Sequence, residues 1–130
     1  MVQLPHRVIA CTLTHLNLIL VDDDQDIRRA VGRFLRSYGH DVLVFESAEA
    51  YLASGRTADC MILDLELPGL GGFDLGLRIR EAGDEVPLVF TGHDEMATAI
   101  ERTTFPCVMK PLDEERLLDA ISLATSDGPN

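Results

Sequence analysis

Asp22, Asp23, Asp64, Thr91 and Lys110 stand where side chains could do chemistry together. Each closes, or directly follows, a short apolar run. Residues 16–21 lead into Asp22-Asp23-Asp24, and residues 60–63 lead into Asp64. Residues 86–90 lead into Thr91-Gly92, and residues 106–109 into Lys110-Pro111. Three carboxylates brought together repel one another and call for a cation. All-oxygen ligation suits Mg²⁺. A lysine and a threonine hydroxyl beside such an ion suit a phosphoryl group, whose oxygens gather charge during transfer. A carboxylate can act as the nucleophile toward that group. Asp64 is the best candidate, because it ends the central run and opens the Gly-rich loop Leu67-Pro68-Gly69-Leu70-Gly71-Gly72.

Each signal alone is commonplace. An acid at a strand end is usually a helix cap or turn residue, and Asp24 and Asp113 are read as caps. A Thr-Gly pair is usually a turn. A Lys-Pro pair usually marks a loop, and its proline can be cis. The weight lies in the joint occurrence of the right chemical types at four strand ends.

The elements between these residues must bring them together. After Asp24, the residues Ile27, Val31, Phe34, Leu35 and Tyr38 recur at helical spacing and stop at Gly39. Residues 41–45 read as a second strand. Ser47 can cap a short helix bearing Ala50, Tyr51 and Leu52, ending near Gly55. Phe73, Leu77 and Ile79 predict a helix ending at Gly83. A weak helix is predicted over residues 96–102. Asp113 caps a last helix with Leu117, Leu118, Ile121 and Ala124. Five strand–helix units predict an α/β fold, a parallel sheet covered on both faces. In such a sheet the carboxyl ends of the strands share one edge, where ligands bind.

Composition narrows the function classes. The 130 residues fit one domain, and 46% are hydrophobic, enough for an ordinary core. A formal charge of −11 leaves no electrostatic footprint for nucleic acid or for an anionic membrane surface. Cys11, Cys60 and Cys107 lie far apart without metal-ligand or disulfide spacing, which fits reduced thiols. Residues 8–11 faintly resemble a lipoprotein cleavage site, but the apolar stretch before them is short and holds Pro5, His6 and Arg7. No run reaches the roughly 18 apolar residues of a membrane span. The chain is therefore expected to be soluble and cytoplasmic. Residues 1–14 are expected to be an N-terminal extension, 15–125 the domain, and 126–130 a flexible tail.

These motifs identify a resemblance to bacterial two-component response-regulator receiver domains. It is carried by Leu20-Val21-Asp22-Asp23-Asp24 with Arg28, by Leu63-Asp64-Leu65-Glu66-Leu67-Pro68-Gly69 with Gly72, by Thr91-Gly92-His93, and by Lys110-Pro111. It covers about residues 16–125, and the Thr-Gly-His wording is most similar to the nitrogen-fixation-regulator branch. The resemblance implies a flavodoxin-like, doubly wound (βα)5 sheet in the order 2-1-3-4-5. It implies that Asp64 accepts a phosphoryl group from the phosphohistidine of a sensor kinase or phosphotransfer protein. Asp23 would ligate Mg²⁺ directly, Asp22 would assist through water, and Asp64 and the backbone carbonyl of Glu66 would complete the metal ligands. Thr91 would hydrogen-bond the phosphoryl group, and Lys110 would pair with Asp64 or its phosphate. A face built from the fourth helix, fifth strand and fifth helix would bind an unknown downstream protein or a second copy in a homodimer. Glu66 and His93, two positions after Asp64 and Thr91, would flank the path of an attacking water. No direct nucleic-acid or membrane contact is implied, nor any catalysis beyond the domain's own phosphorylation and dephosphorylation.

The sequence departs from that pattern in one region. Thr91 and Lys110 are closer together than is usual, so the fourth helix or its following loop is expected to be shortened. Cys107 stands three positions before Lys110, where the family's switching aromatic belongs, with Phe105 two positions out of register. As a small hydrophobe, Cys107 is expected to fill core space. Two other functions compete. One is an interaction module that keeps the fold without phosphorylation. The other is an aspartate-nucleophile phosphatase, opposed by the position of Asp64-Leu65-Glu66 after the third strand and by the lack of a cap domain.

Overall fold

The central strands of this chain are short apolar segments buried on both faces, as the covered faces of a parallel sheet require, while the two edge strands are partly exposed. A computed structural model describes residues 15–93 and 105–126. In chain order these form β1 (Asn17–Val21), α1 (Gln25–Ser37), β2 (Asp41–Phe45), α2 (Ala48–Ser54), β3 (Cys60–Asp64), α3 (Gly72–Glu81), β4 (Leu88–Gly92), β5 (Cys107–Met109) and α4 (Glu114–Ser126). The helix expected over residues 96–102, and with it the shortened fourth unit, lies outside the described residues, as does the 1–14 extension.

The five strands form one parallel sheet in the order β2-β1-β3-β4-β5, the doubly wound order that the resemblance implied. Alternate side chains along each strand point to opposite faces. Leu18, Leu20, Cys60, Ile62, Val89 and Val108 therefore meet Val31, Leu35, Leu117 and Ile121 from α1 and α4. Ile19, Val21, Met61, Leu63, Leu88 and Phe90 meet Tyr51, Leu75 and Ile79 from α2 and α3. Each fully buried aliphatic or aromatic side chain contributes roughly 1.5–3 kcal/mol to this two-sided core.

Local signals end the elements where expected. Asp24 accepts the amides of Asp26 and Ile27 at 2.8 and 3.3 Å and so starts α1. Ser47 caps α2 through the Ala50 amide at 3.0 Å. Asp113 accepts the amides of Glu115 and Arg116 at 2.8 and 3.3 Å at the start of α4.

Several boundaries differ from the sequence reading. β4 begins at Leu88, not at residue 86, because Pro87 has no N–H to give; its carbonyl still accepts the Met61 amide at 2.9 Å. β5 begins at Cys107 after Pro106 for the same reason. α4 runs to Ser126, one residue into the stretch expected as a tail. No helix among the described residues is long and apolar enough to cross a membrane.

Candidate functional site

Strand register decides which side chains meet. Val21 lies beside Leu63, so the next residue of the first strand, Asp22, comes beside Asp64. Asp64 is itself in register with Thr91. Gly92 pairs with Met109, and the Lys110 amide donates to the Gly92 carbonyl at 2.8 Å. The carboxyl ends of β1, β3, β4 and β5 thus carry Asp22, Asp64, Thr91 and Lys110 to one edge.

The result is a buried charged cluster. Asp22, Asp64 and Thr91 are at most 1% exposed. The Lys110 ammonium lies 3.2 Å from Asp64 Oδ2 and 3.3 Å from Asp22 Oδ2. Burial pushes the Lys110 pKa down, but the charges of Asp22 and Asp64 outweigh it and hold the amine above its ordinary range. Burial, opposed by the Asp24 amide, and the nearby Asp64 push the Asp22 carboxyl above its ordinary value. Asp22 Oδ1 accepts the Asp24 amide at 2.9 Å, and Asp22 Oδ2 is buried with no donor among the described residues other than the ammonium. The Thr91 hydroxyl is buried without a hydrogen-bond partner among the described residues.

The residues present fit a divalent cation. Carboxylate oxygens of Asp22, Asp23 and Asp64 lie within 4.8 Å of one another. Asp23 is exposed, so water can reach the group, as Mg²⁺ prefers. One ammonium offsets only part of three carboxylate charges. Buried charge left over in this way favours a bound cation.

The segment after Asp64 is tightly folded against it. The Glu66 amide donates to Asp64 Oδ1 at 3.0 Å. At the start of α3 the chain passes so close that a Cβ on Gly72 would fall 2.1 Å from the Asp64 carbonyl oxygen. Only glycine permits this approach.

Some features lay beyond the sequence reading. Arg28 belonged to the resemblance but had no role assigned; its guanidinium donates to the Asp22 carbonyl at 2.8 Å. Glu66 and His93 stand 3.2 Å apart at the rim. Cys107 is half-buried opposite Phe90 in the sheet register. Phe105 packs edge-on against Phe90, with ring centroids 5.5 Å apart, and lies under the Arg80 guanidinium at 5.4 Å. The aromatic near β5 therefore joins the α3 side of the core from a different register position.

The response regulator receiver domain family matches residues 18–122. The response regulator protein TmoT of Ectopseudomonas mendocina is 34% identical over 86% of this chain and 54% of its own length. The transcriptional regulatory protein FixJ of Bradyrhizobium diazoefficiens is 31% identical over 83% of this chain and 56% of its own. The crystal structure of NtrX from Brucella abortus superposes with a TM-score of 0.76 at 30% identity, covering 87% of this chain and 27% of that one. This chain spans about half the length of the curated relatives it matches. Its buried acids, its sheet order and these matches agree: the chain belongs to the response-regulator receiver domain family of two-component systems.

Proposed function

We propose that this domain takes a phosphoryl group from a phosphohistidine onto Asp64 and thereby changes which partner it binds. The observation that carries the reading is the Lys110 ammonium, shared between Asp22 and Asp64 at 3.3 and 3.2 Å beside the Thr91 hydroxyl, which has no hydrogen-bond partner among the described residues. Asp22, Asp23, Asp64 and the Glu66 carbonyl would hold Mg²⁺, which when bound would draw negative charge from the phosphoryl oxygens. Asp64 supplies the attacking oxygen. The bond from phosphorus to the donor imidazole breaks as the bond to Asp64 forms, and the imidazole leaves with a proton from solvent. Lys110 then turns from the Asp64 carboxylate to the phosphoryl oxygens, and the Thr91 hydroxyl gains an acceptor. Both contacts exist only with phosphate present, so they favour one of two packings of the domain.

The surroundings support two partner surfaces. An apolar groove of about 290 Å³ runs between α1 and α4, lined by Ile27, Ala30, Phe34, Leu112 and Leu117, and reaches Lys110. A kinase or phosphotransfer helix lying there would present its histidine at the site. On the far side, Met109 of β5 and Leu123 of α4 are exposed apolar side chains suited to a downstream protein or a second copy. Turnover of an external substrate is not part of this reading, and the setting would be the cytoplasm.

A phosphate-independent interaction module is the second reading, favoured by Cys107 in the place of a switching aromatic. Beryllofluoride with Mg²⁺, followed by NMR on the whole chain, separates the two. Saturable uptake that Asp64→Asn abolishes is expected. No uptake, or uptake indifferent to Asp64→Asn, overturns the phosphorylation reading.

A further inference from the structure

The loop between Asp64 and α3 is held from outside the acidic pocket by a residue of α2. Glu49 is exposed, and its Oε2 accepts the Leu70 amide at 3.0 Å, across 21 positions of sequence. The same oxygen lies 2.9 Å from where a Cβ on Gly69 would stand, and Gly69 has a φ of +74°. The carboxylate is thus seated on a bare glycine in the left-handed region, a place closed to other side chains. The Leu70 amide, the Glu49 backbone amide and the charge of Arg78 hold the Glu49 carboxyl below its ordinary value.

Besides the Leu65 amide on the Thr91 carbonyl at 2.8 Å and the buried side chains of Leu65 and Leu67, the loop has three attachments. Glu66 is tied to Asp64 Oδ1 at its start, Leu70 to Glu49 in its middle, and Gly72 is pressed on the Asp64 carbonyl at its end. The Glu66 amide makes the first of these, and its carbonyl lies between the first and the second. Loss of the middle point would loosen the exposed Pro68-Gly69 stretch and, through Leu67, the support of the Glu66 carbonyl, while the sheet that carries Asp64 stays paired. The ordinary reading of Glu49 is an acid in the first turn of a short helix. That reading accounts for an exposed carboxylate but not for its bond to a distant loop.

We infer that Glu49 is a positioning residue for the metal site, fixing through Leu70 the loop that presents the Glu66 carbonyl to Mg²⁺. The inference rests on the proposed function and assigns no contact between Glu49 and the ion. A free acceptor, not the charge, is what the loop needs, so glutamine should replace glutamate where alanine cannot.

The test is titration of the full chain with Mg²⁺ alone, followed by amide NMR, in the wild type, Glu49→Ala and Glu49→Gln. Glu49→Ala should weaken Mg²⁺ binding by about tenfold, the low end of the loss when an outer partner of a metal ligand is removed. Glu49→Gln should remain within about twofold of the wild type, since its amide oxygen can accept the same bond. Hydrogen exchange at Leu70 should speed up in Glu49→Ala and not in Glu49→Gln. Wild-type Mg²⁺ affinity in Glu49→Ala, or equal weakening in both variants, overturns the inference and leaves the proposed function standing. Failure of the wild-type chain to bind Mg²⁺ overturns both.

Discussion

Glu66 and His93 meet at 3.2 Å because Asp64 and Thr91, two residues before each of them, are partners in the sheet. The register that builds the buried site also sets Glu66 beside His93 at its rim. On the proposed function, a small anionic phosphoryl donor such as acetyl phosphate would pass this rim. Glu66→Ala should accelerate self-phosphorylation by such a donor, about two- to threefold, because a repelling charge is gone. His93→Ala should slow it by a similar factor, because Glu66 loses its neighbour. Both effects should shrink as salt is raised. A time course of phosphorylation at low and high ionic strength checks them; equal rates in all three proteins would sink the idea.

Lys110 holds two buried carboxylates that would otherwise face each other. Lys110→Ala should lower stability in chelator by about 3–5 kcal/mol, the scale for breaking a buried pair from one side. Added Mg²⁺ should then raise Tm more in the variant than in the wild type, since the ion would replace the missing positive charge. Thermal unfolding with and without Mg²⁺ measures both quantities. A smaller Mg²⁺ effect in the variant would contradict the shared role of ammonium and ion.

Gly72 has no room for a side chain, because the new Cβ would overlap the Asp64 carbonyl oxygen at 2.1 Å. Gly72→Ala should cost at least about 1–3 kcal/mol through overpacking. It should also weaken beryllofluoride uptake, since relief of the clash must displace Asp64 or the start of α3. Gly71→Ala is the control, because its Cβ would sit 3.6 Å from the Leu65 carbonyl, an ordinary contact. Denaturant unfolding of the two variants separates close approach from a general effect of replacing glycine.

His40 gives the fold a pH dependence remote from the acidic site. It is 3% exposed, its Nδ1 accepts the Leu16 amide at 3.1 Å, and its Nε2 is buried without a partner among the described residues. Burial, and then the charge of His15, lower its pKa from the ordinary 6.5. His15 itself contacts the Gly39 carbonyl at 2.6 Å and Asp41 at 3.2 Å. The unfolded chain therefore binds the proton more readily than the folded one. The stabilisation is complete above about pH 6.5 and is lost as pH falls from there through the lower folded value. His40→Asn can keep an acceptor for Leu16 without titrating. Its Tm should vary less than the wild-type value between pH 7 and pH 5.5, in scans at matched ionic strength.

The sequence by itself determined the layout of this domain and most of the site. Apolar runs ended by polar residues mark buried strands, and the helix caps at Asp24, Ser47 and Asp113 are local chemistry that needs no distant partner. A parallel sheet has one carboxyl edge, so Asp22, Asp64, Thr91 and Lys110 could be assigned to it from their positions alone. Proline placement could also have trimmed β4 and β5, since Pro87 and Pro106 cannot donate to a ladder. What only the tertiary structure decided depends on register and on loop paths. The nearly equal distances from Lys110 to Asp22 and Asp64, the meeting of Glu66 with His93, and the turn of Phe105 toward Phe90 all depend on angstrom-scale offsets between strands. The bond from Glu49 to Leu70 joins an exposed acid to a half-buried leucine, both of unremarkable type, and no local pattern marks it. Periodicity reports which face a residue occupies; it carries no information on which residue of another element will arrive opposite it.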